Sequence, residues 1–207
     1  MRIGVLAVQG AFIEHEHILT ALGAECVELR KGSDLNQEFD GIVLPGGEST
    51  VQGKLLKELA MFEDLKERIK QGTPVLATCA GLILLAETLE GSEECWFGTL
   101  PVTVRRNAYG RQLGSFSAST VIRGLVQEEQ EFPLEFIRAP YIVKLNETPK
   151  EQVQPIAVIA KQPNGTEGEN IVGVRYRNQI GLAFHPELTG DTRCHELFLA
   201  LCRENSR

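Results

Sequence analysis

The chain has 207 residues, of which 43% are hydrophobic and 24% charged, and this size and composition predict a single α/β domain over residues 1–207. Its formal net charge of −7 does not favour binding to nucleic acid or to a membrane surface, because an acidic surface repels phosphate groups. No apolar run reaches the roughly 18 residues of a membrane span, and the first residues lack a signal-peptide pattern, so we expect a cytoplasmic protein. The five cysteines contain no Cys-x-x-Cys pair, so we expect neither a disulfide framework nor a zinc ribbon.

The first half of the chain alternates apolar strands with helices. Strands are predicted at 3–8, 27–29, 41–44 and 74–77, and helices at 12–22, at 50–71 in two pieces, and at 81–88. Strands separated by helices of this length form βαβ units, so we expect a parallel sheet with helices on both faces.

The second half contains short segments rich in β-branched residues, separated by turns. Strands are predicted at 100–104, 116–122, 156–160, 171–176 and 179–184, turns at 163–165 and 177–178, and a last helix at 192–204. Together the two halves predict an α/β fold with a central, mostly parallel mixed sheet flanked by helices, and with extra antiparallel strands in the second half.

Cys79 is the candidate nucleophile. It stands in Ala77-Thr78-Cys79-Ala80-Gly81, between a predicted buried strand and an apolar helix. A sharp turn at this point presents the side chain to solvent at the carboxyl edge of the sheet, and the helix N-terminus favours the thiolate over the thiol. Taken alone, the same cysteine is equally well explained as a small buried apolar residue.

A cysteine nucleophile needs a base, and the chain has four histidines. His185 ends a predicted strand, and Glu187 lies two residues on, where its carboxylate can accept a hydrogen bond from the imidazole. His15 and His17 do not share a helical face and so cannot bind one metal ion, and we expect them on a solvated or partly packed face. His195 lies within the last helix, where we expect a surface position.

A Pro-Gly-Gly loop at 45–47 follows the third predicted strand. Glycine lets backbone N–H groups point into a site without obstruction by a Cβ atom, and such groups stabilise an oxyanion. The Ala80 N–H, directly after Cys79, would supply a second donor. Taken alone, a Pro-Gly-Gly sequence is more often an ordinary turn.

A Pro-Gly-Gly loop, a cysteine turn and a late His-x-Glu, in this order, resemble the class I (triad) glutamine amidotransferases, and among them the glutaminase subunits of pyridoxal 5′-phosphate synthase. The closer resemblance rests on VQG at 8–10, PGGEST at 45–50, TCAGLILLA at 78–86, RNAYGRQ at 106–112, FIRAP at 136–140 and FHPELT at 184–189. It covers essentially the whole chain and implies a flavodoxin-like fold. Ala77 stands where many such enzymes have glycine, so its φ is expected to be negative.

The resemblance implies that Cys79 is the nucleophile, His185 the base and later the acid, and Glu187 the orienting carboxylate. It implies L-glutamine as substrate, and no cofactor or metal. The implied glutamine contacts are Gly47, Glu48, Ser49, Arg106, Ile137 and Arg138, with the oxyanion held by the backbone N–H groups of Gly47 and Ala80. The implied partner is a (β/α)₈-barrel synthase subunit in a large hetero-oligomer, which receives ammonia for vitamin B6 synthesis.

Three alternatives remain open on the sequence. The chain could be a cysteine peptidase or γ-glutamyl hydrolase on a similar sheet. It could be a non-catalytic flavodoxin-like binding module, although such a module needs a Gly-rich phosphate loop after the first strand, and Gln9-Gly10-Ala11 has one glycine. It could also be the glutaminase of a different synthase, for example in histidine or purine synthesis.

Overall fold

The structure is a computed structural model that describes residues 1–106, 114–148, 151–161 and 167–205. The predicted turn at 163–165 and residues 107–112 of the RNAYGRQ segment lie outside this part of the chain. The helices are α1 (Phe12–Ala21), α2 (Ser49–Glu58), α3 (Phe62–Lys70), α4 (Ala80–Leu85) and α5 (Arg193–Asn205), with two short 3₁₀ turns at Gly32–Leu35 and Pro186–Leu188.

The strands comprise a regular first series and a less regular second one. The first is β1 (Arg2–Leu6), β2 (Glu25–Leu29), β3 (Gly41–Leu44), β4 (Val75–Thr78) and β5 (Ala86–Leu89). The second is β6 (Leu100–Arg105), β7 (Ser115–Thr120), β8 (Phe132–Ile137), β9 (Tyr141–Leu145), β10 (Gln154–Lys161), β11 (Glu167–Tyr176) and β12 (Gln179–Leu182).

A seven-stranded sheet forms the centre of the described part of the chain, in the order β10-β11-β12-β4-β3-β1-β2. The strands from β12 to β2 are parallel, and β10 and β11 add an antiparallel edge. Every residue of β3, β4 and β12 is buried, as expected for apolar strands covered by helices on both faces. The predicted mixed α/β fold is therefore confirmed.

The order of these strands places a crevice at the carboxyl ends of β1 and β3. The chain passes from β1 outward to β2 and then returns to β3 on the other side of β1. Connections that leave neighbouring strands in opposite directions open a crevice between them, and open α/β sheets bind their ligands there. The loops at 8–11 and 45–48 follow these two strands.

In the described part of the chain two smaller sheets lie outside the central one, and three of their strands, β5, β8 and β9, were not predicted from the sequence. The sheet β5-β6-β9 and the hairpin β7-β8 both use strands between residues 132 and 145 that carried no strand prediction. The helix predicted at 81–88 ends at Leu85, and the next four residues form β5, which pairs parallel with β6. A continuous apolar run does not distinguish a buried helix from a buried strand, which explains this error.

Aromatic side chains join the β7-β8 hairpin to the segment after β12. The Phe136 and Phe184 rings meet edge to face at 6.0 Å between centroids, and Phe132 lies 6.2 Å from Phe184 at a tilt. All three side chains are fully or almost fully buried. This cluster fixes the chain just before His185.

No helix in the described ranges is both long and apolar enough to cross a membrane.

Candidate active site

Cys79 occupies a strained turn between β4 and α4. Its φ of 48° and ψ of −100° place it in a region that L-residues seldom adopt, and it is the residue that caps the start of α4. Its N–H donates to the Leu182 carbonyl at 2.8 Å, so β12 holds the backbone of the turn. Ala77 lies within β4 and is not a positive-φ residue, as the sequence required. The left-handed conformation therefore falls on the nucleophile itself.

Two glycines allow the backbone segments around Cys79 to approach closely. A Cβ atom on Gly81 would lie 2.0 Å from the Leu44 carbonyl oxygen, so α4 can pack against β3 only with glycine there. A Cβ atom on Gly10 would lie 1.9 Å from the Gly46 carbonyl oxygen, and Gly10 has a φ of +104°. The Gly46 carbonyl accepts a hydrogen bond from the Ala11 N–H at 3.0 Å. The loops after β1 and β3 are thus held in direct contact.

His185 and Glu187 meet beside Cys79 as a hydrogen-bonded pair. The His185 Nδ1 and Glu187 Oε1 atoms are 2.6 Å apart, and both side chains are buried. The His185 imidazole also lies against Gly46, where a Cβ atom would be 2.3 Å from the ring Cε1. The backbone N–H of His185 donates to the backbone carbonyl of Glu135 at 2.8 Å, which ties the base to β8.

The charges of this pair support each other. Burial on its own lowers the pKa of His185, but hydrogen bonds and charge interactions with Cys79 and Glu187 raise that pKa to about 10. Burial on its own raises the pKa of Glu187, but His15 and His185 lower that pKa overall. His185 is therefore protonated at neutral pH beside an ionised Glu187, which is the arrangement that stabilises a thiolate at Cys79.

A cavity of about 280 Å³ opens directly over Cys79. Its walls include most of the residues predicted from the sequence, namely Gly47, Glu48, Ser49, Cys79, Arg106, Ile137, Arg138 and His185. Glu187 lies behind His185 and does not line the cavity. The Ala80 N–H is at the first position of α4, where a helical backbone N–H has no partner within the helix. The structure thus brings the predicted residues together at one site.

Glu48 and Gln9 shape the loop after β3. The Glu48 carboxylate accepts from the Thr50 and Val51 N–H groups at 3.1 and 2.8 Å, and so caps the N-terminus of α2. The Glu48 N–H donates to Gln9 Oε1 at 2.8 Å. Gln9 also lines the cavity, although the sequence indicated it only through the family resemblance. The sequence held a signal for Gln9, because it follows β1 by three residues and so lies at the carboxyl edge of the sheet.

The two arginines reach the cavity from different directions. Arg106 Nη1 donates to Thr50 Oγ1 at 2.9 Å and to Glu94 Oε2 at 3.1 Å, so the loop around 94 holds its guanidinium against α2. Arg138 follows β8 with a φ of 45°. The carbonyl of Ile137, next to it, lies 3.9 Å from Cys79 Sγ. Strand β8, which the sequence did not predict, therefore supplies one wall of the site.

His15 and His195 do not lie where the sequence predicted them. Both are fully buried, whereas we expected a solvated or partly packed face for His15 and the surface for His195. His15 Nδ1 is 2.9 Å from His195 Nε2, and His15 Nε2 is 3.4 Å from Glu187 Oε2. Helical spacing carried a signal for both, since His15 precedes Leu19 by four residues and His195 precedes Leu199 by four. His17 is exposed, as expected.

A larger cavity of about 590 Å³ lies at the other end of the central sheet, near the starts of β4 and β12. Its lining includes Lys70, Thr99 and Asn178 but neither cysteine nor histidine. Among the described residues, no group of three His, Cys, Asp or Glu side chains is placed to hold a metal ion. Of these two cavities, the smaller one therefore contains the candidate nucleophile.

The chain is similar to known proteins over nearly its whole length. A model of the SNO glutamine amidotransferase family matches residues 5–204. Pyridoxal 5′-phosphate synthase subunit PdxT of Desulfitobacterium hafniense (strain DSM 10664 / DCB-2) is 59% identical over 199 residues, covering 96% of this chain and 92% of the relative. The subunit of the same name from Bifidobacterium longum (strain NCC 2705) is 49% identical, covering 96% and 99%.

Among solved structures, the fold is similar to one titled a crystal structure of glutamine amidotransferase. The TM-score is 0.83 at 37% sequence identity, and the match covers 97% of this chain and 98% of the other. Sequence, fold and the geometry around Cys79 therefore agree. The chain belongs to the SNO glutamine amidotransferase family.

Proposed function

We propose that this chain hydrolyses L-glutamine to L-glutamate and ammonia through Cys79, His185 and Glu187, and supplies the ammonia to a pyridoxal 5′-phosphate synthase subunit. The observation that carries the proposal is the contact of His185 with both Cys79 and Glu187 beside the cavity over the strained Cys79 turn. A nucleophile, a base and an orienting carboxylate in this relation form the arrangement used for acyl transfer.

The first half of the reaction acylates the enzyme. The Cys79 thiolate attacks the side-chain amide carbon of glutamine, and the carbonyl becomes a tetrahedral oxyanion. Backbone N–H groups of Gly47 and Ala80 stabilise this oxyanion, and removing one such donor costs about 3–4 kcal/mol of barrier in comparable enzymes. The intermediate then breaks its C–N bond while His185 gives its proton to the leaving nitrogen, which departs as ammonia.

The second half releases glutamate. Neutral His185 takes a proton from water as the water attacks the glutamyl thioester carbon. The new tetrahedral oxyanion occupies the same pair of N–H groups. When it collapses, the C–S bond breaks and Cys79 leaves as the thiolate beside protonated His185. The starting ion pair is thereby restored, with Glu187 holding the imidazole throughout.

The cavity walls suit an α-amino acid. Guanidinium groups pair well with carboxylates, so Arg106 and Arg138 are proposed to bind the glutamine carboxylate or to form the wall beside it. Gly47, Glu48, Ser49 and Ile137 are proposed as the other contacts, and each lines the cavity. Because Glu94 and Thr50 hold Arg106, the loop around 94 positions this contact.

The proposed partner is a (β/α)₈-barrel synthase subunit, within a large hetero-oligomer. Support comes from the relatives, which are named as subunits of pyridoxal 5′-phosphate synthase over nearly the full length of this chain. This naming favours that synthase over one in histidine or purine synthesis. We further propose that residues 1–207 form one domain.

The test is glutamate release from L-glutamine, measured with and without a pyridoxal 5′-phosphate synthase barrel subunit. We expect release to depend on the partner and to be lost in Cys79→Ala, which removes the sulfur and keeps the surrounding backbone. The matched control is Cys95→Ala, because Cys95 is an exposed thiol outside the site. Equal release by wild type and Cys79→Ala would show that the triad is wrong.

A further inference from the structure

A buried pair of histidines lies directly behind the triad, where helices α1 and α5 meet. His15 and His195 are 180 residues apart in the sequence, yet His15 Nδ1 lies 2.9 Å from His195 Nε2. Neither side chain is exposed to solvent. The other nitrogen of His15, Nε2, lies 3.2 Å from Thr78 Oγ1 and 3.4 Å from Glu187 Oε2. His15 therefore bridges α5, the residue before Cys79 and the carboxylate of the triad.

Glu187 Oε2 needs a donor at this position. Glu187 Oε1 is hydrogen-bonded to His185, whereas Oε2 has no hydrogen-bond partner among the described residues, and the side chain is fully buried. A buried carboxylate oxygen without a donor is strongly destabilising. His15 Nε2 lies 3.4 Å from Oε2, so a small movement of either side chain would let it donate a charge-assisted hydrogen bond to the carboxylate.

The tautomers of the two histidines follow from these contacts. Burial lowers the pKa of His15, and burial together with His15 lowers the pKa of His195 to about 3, so both rings are neutral. If His15 carries its proton on Nε2, facing Glu187, its Nδ1 must accept from His195 Nε2–H. The opposite choice would direct a ring lone pair at the carboxylate and bury the His195 Nδ1–H, which has no hydrogen-bond partner among the described residues. The Thr78 hydroxyl, 3.2 Å from His15 Nε2, fits either choice, because it can accept from Nε2–H or donate to Nε2. The other ionisable groups that act on this cluster are His185, Glu14 and Cys194.

We propose that His15 is a positioning residue for the reaction: its Nε2–H holds the second oxygen of Glu187, and His195 fixes the tautomer in which His15 can do so. The inference rests on the proposed function, because it assigns His15 a role through Glu187 and His185. It extends the series of polar side chains from Cys79 through α1 to His195 in α5. A histidine that only fills space in the core would not depend on which nitrogen carries the proton.

The first experiment compares His15→Leu with His15→Gln in the complex with the barrel subunit. Leucine fills the space without a donor, whereas glutamine can place an amide N–H close to the position of Nε2. We expect His15→Leu to lower kcat for glutamine hydrolysis roughly 10- to 100-fold, as for loss of one hydrogen bond to a charged group, with KM for glutamine within about twofold of wild type. His15→Gln should recover most of kcat. His17→Leu, on the exposed face of the same helix, is the matched control and should retain wild-type kinetics.

The second experiment measures the pH dependence of Cys79 alkylation by iodoacetamide on the full chain, followed by mass spectrometry of the peptide that contains Cys79. Burial raises the thiol pKa of Cys194 and Cys202, so these thiols react slowly. A less firmly held Glu187 stabilises protonated His185 less, which weakens the positive charge beside Cys79. We expect His15→Leu to move the inflection upward by about one pH unit, a tenfold change in equilibrium, and His15→Gln to restore it.

Thermal unfolding of the same variants separates positioning from packing. Unchanged kcat and an unchanged inflection in His15→Leu would overturn the inference. Equal losses of kcat in His15→Leu and His15→Gln, in step with equal losses of Tm and without a shifted inflection, would also overturn it, because that result describes a structural histidine. If wild type with the barrel subunit releases no glutamate, the proposed function fails, while the alkylation inflection still decides whether His15 acts on the triad.

Discussion

The two halves of the chain contribute to the active site in different ways. The first half supplies the Cys79 turn and the loop after β3, both at the carboxyl ends of parallel strands and both fixed by glycines in close contact. The second half supplies His185 and Glu187 from the loop after the parallel strand β12, and one wall of the site from the antiparallel β7-β8 hairpin. The nucleophile is thus held within one strand–turn–helix unit, whereas the base follows a parallel strand and is also tied to a hairpin that is distant in the sequence. The difference explains why the first half is easier to predict from sequence.

The contact between the halves can be broken at Gly46. A Cβ atom in Gly46→Ala would lie 2.3 Å from the His185 ring, so the imidazole must move away from Cys79. Displacement of a catalytic group by about 1 Å costs on the order of 100-fold, and relief of this contact needs a shift of about that size, so we expect kcat to fall by at least about 100-fold. Steady-state glutamine hydrolysis in the complex measures it. Circular dichroism should show an intact fold, and near-normal kcat would contradict the close contact.

The charge contributed by the second half can be removed with Glu187→Gln. Because Glu187 raises the pKa of His185, the variant should lower this pKa from about 10 and reduce kcat on the order of 100-fold. A raised pKa in the folded state stabilises the protein fully below the unfolded value near 6.5, and this stabilisation is lost as the pH rises through about 10. Because His185 loses its proton at lower pH in the variant, the alkaline limb of the kcat/KM profile should also move to lower pH.

An unshifted alkaline limb in Glu187→Gln would show that the carboxylate does not act on His185 through its charge. The matched control is Glu135→Gln, since Glu135 is joined to His185 only through its backbone carbonyl. Its side chain accepts from Ser117 at an exposed position. This control should keep the wild-type profile.

The smallest expected effect lies within the first half, at Gly53 of α2. A Cβ atom there would lie 2.4 Å from the Trp96 ring, and overpacking of this kind costs about 1–3 kcal/mol. Alanine also favours the helix by up to about 1 kcal/mol, so Gly53→Ala should lower the free energy of unfolding by about 1–2 kcal/mol. Urea unfolding measures this change. A more stable variant would mean that the loop around Trp96 moves aside at no cost.

The elements that the sequence predicted are those with a local cause. The parallel strands, the two-piece helix at 50–71, the Cys79 turn and the Pro-Gly-Gly loop each follow from apolar runs and glycines close together in the chain. Strand β8 was not predicted, although its buried and exposed residues alternate from Phe132 onward. Pro133 and the three glutamates at 128, 129 and 131 obscure this pattern.

The buried histidines were missed for a different reason. Which face of α1 meets α5 is decided by the packing of both helices on the sheet, across 180 residues of sequence. Helical spacing places His15 and His195 on apolar faces, but a polar residue on such a face has no local partner to indicate its role. The partner of His15 is the carboxylate of the triad, and that relation exists only in the folded chain.

The backbone of Cys79 has a consequence for how such enzymes diverge. A non-glycine residue held at a φ of 48° and a ψ of −100° carries a cost of about 1–3 kcal/mol, which glycine would relieve. Selection for ammonia production therefore maintains a conformation that selection for stability alone would remove. A descendant of this chain that kept only a binding or scaffolding role would be free to replace the cysteine with glycine. Such an inactive paralogue would have a larger free energy of unfolding than the enzyme from which it arose.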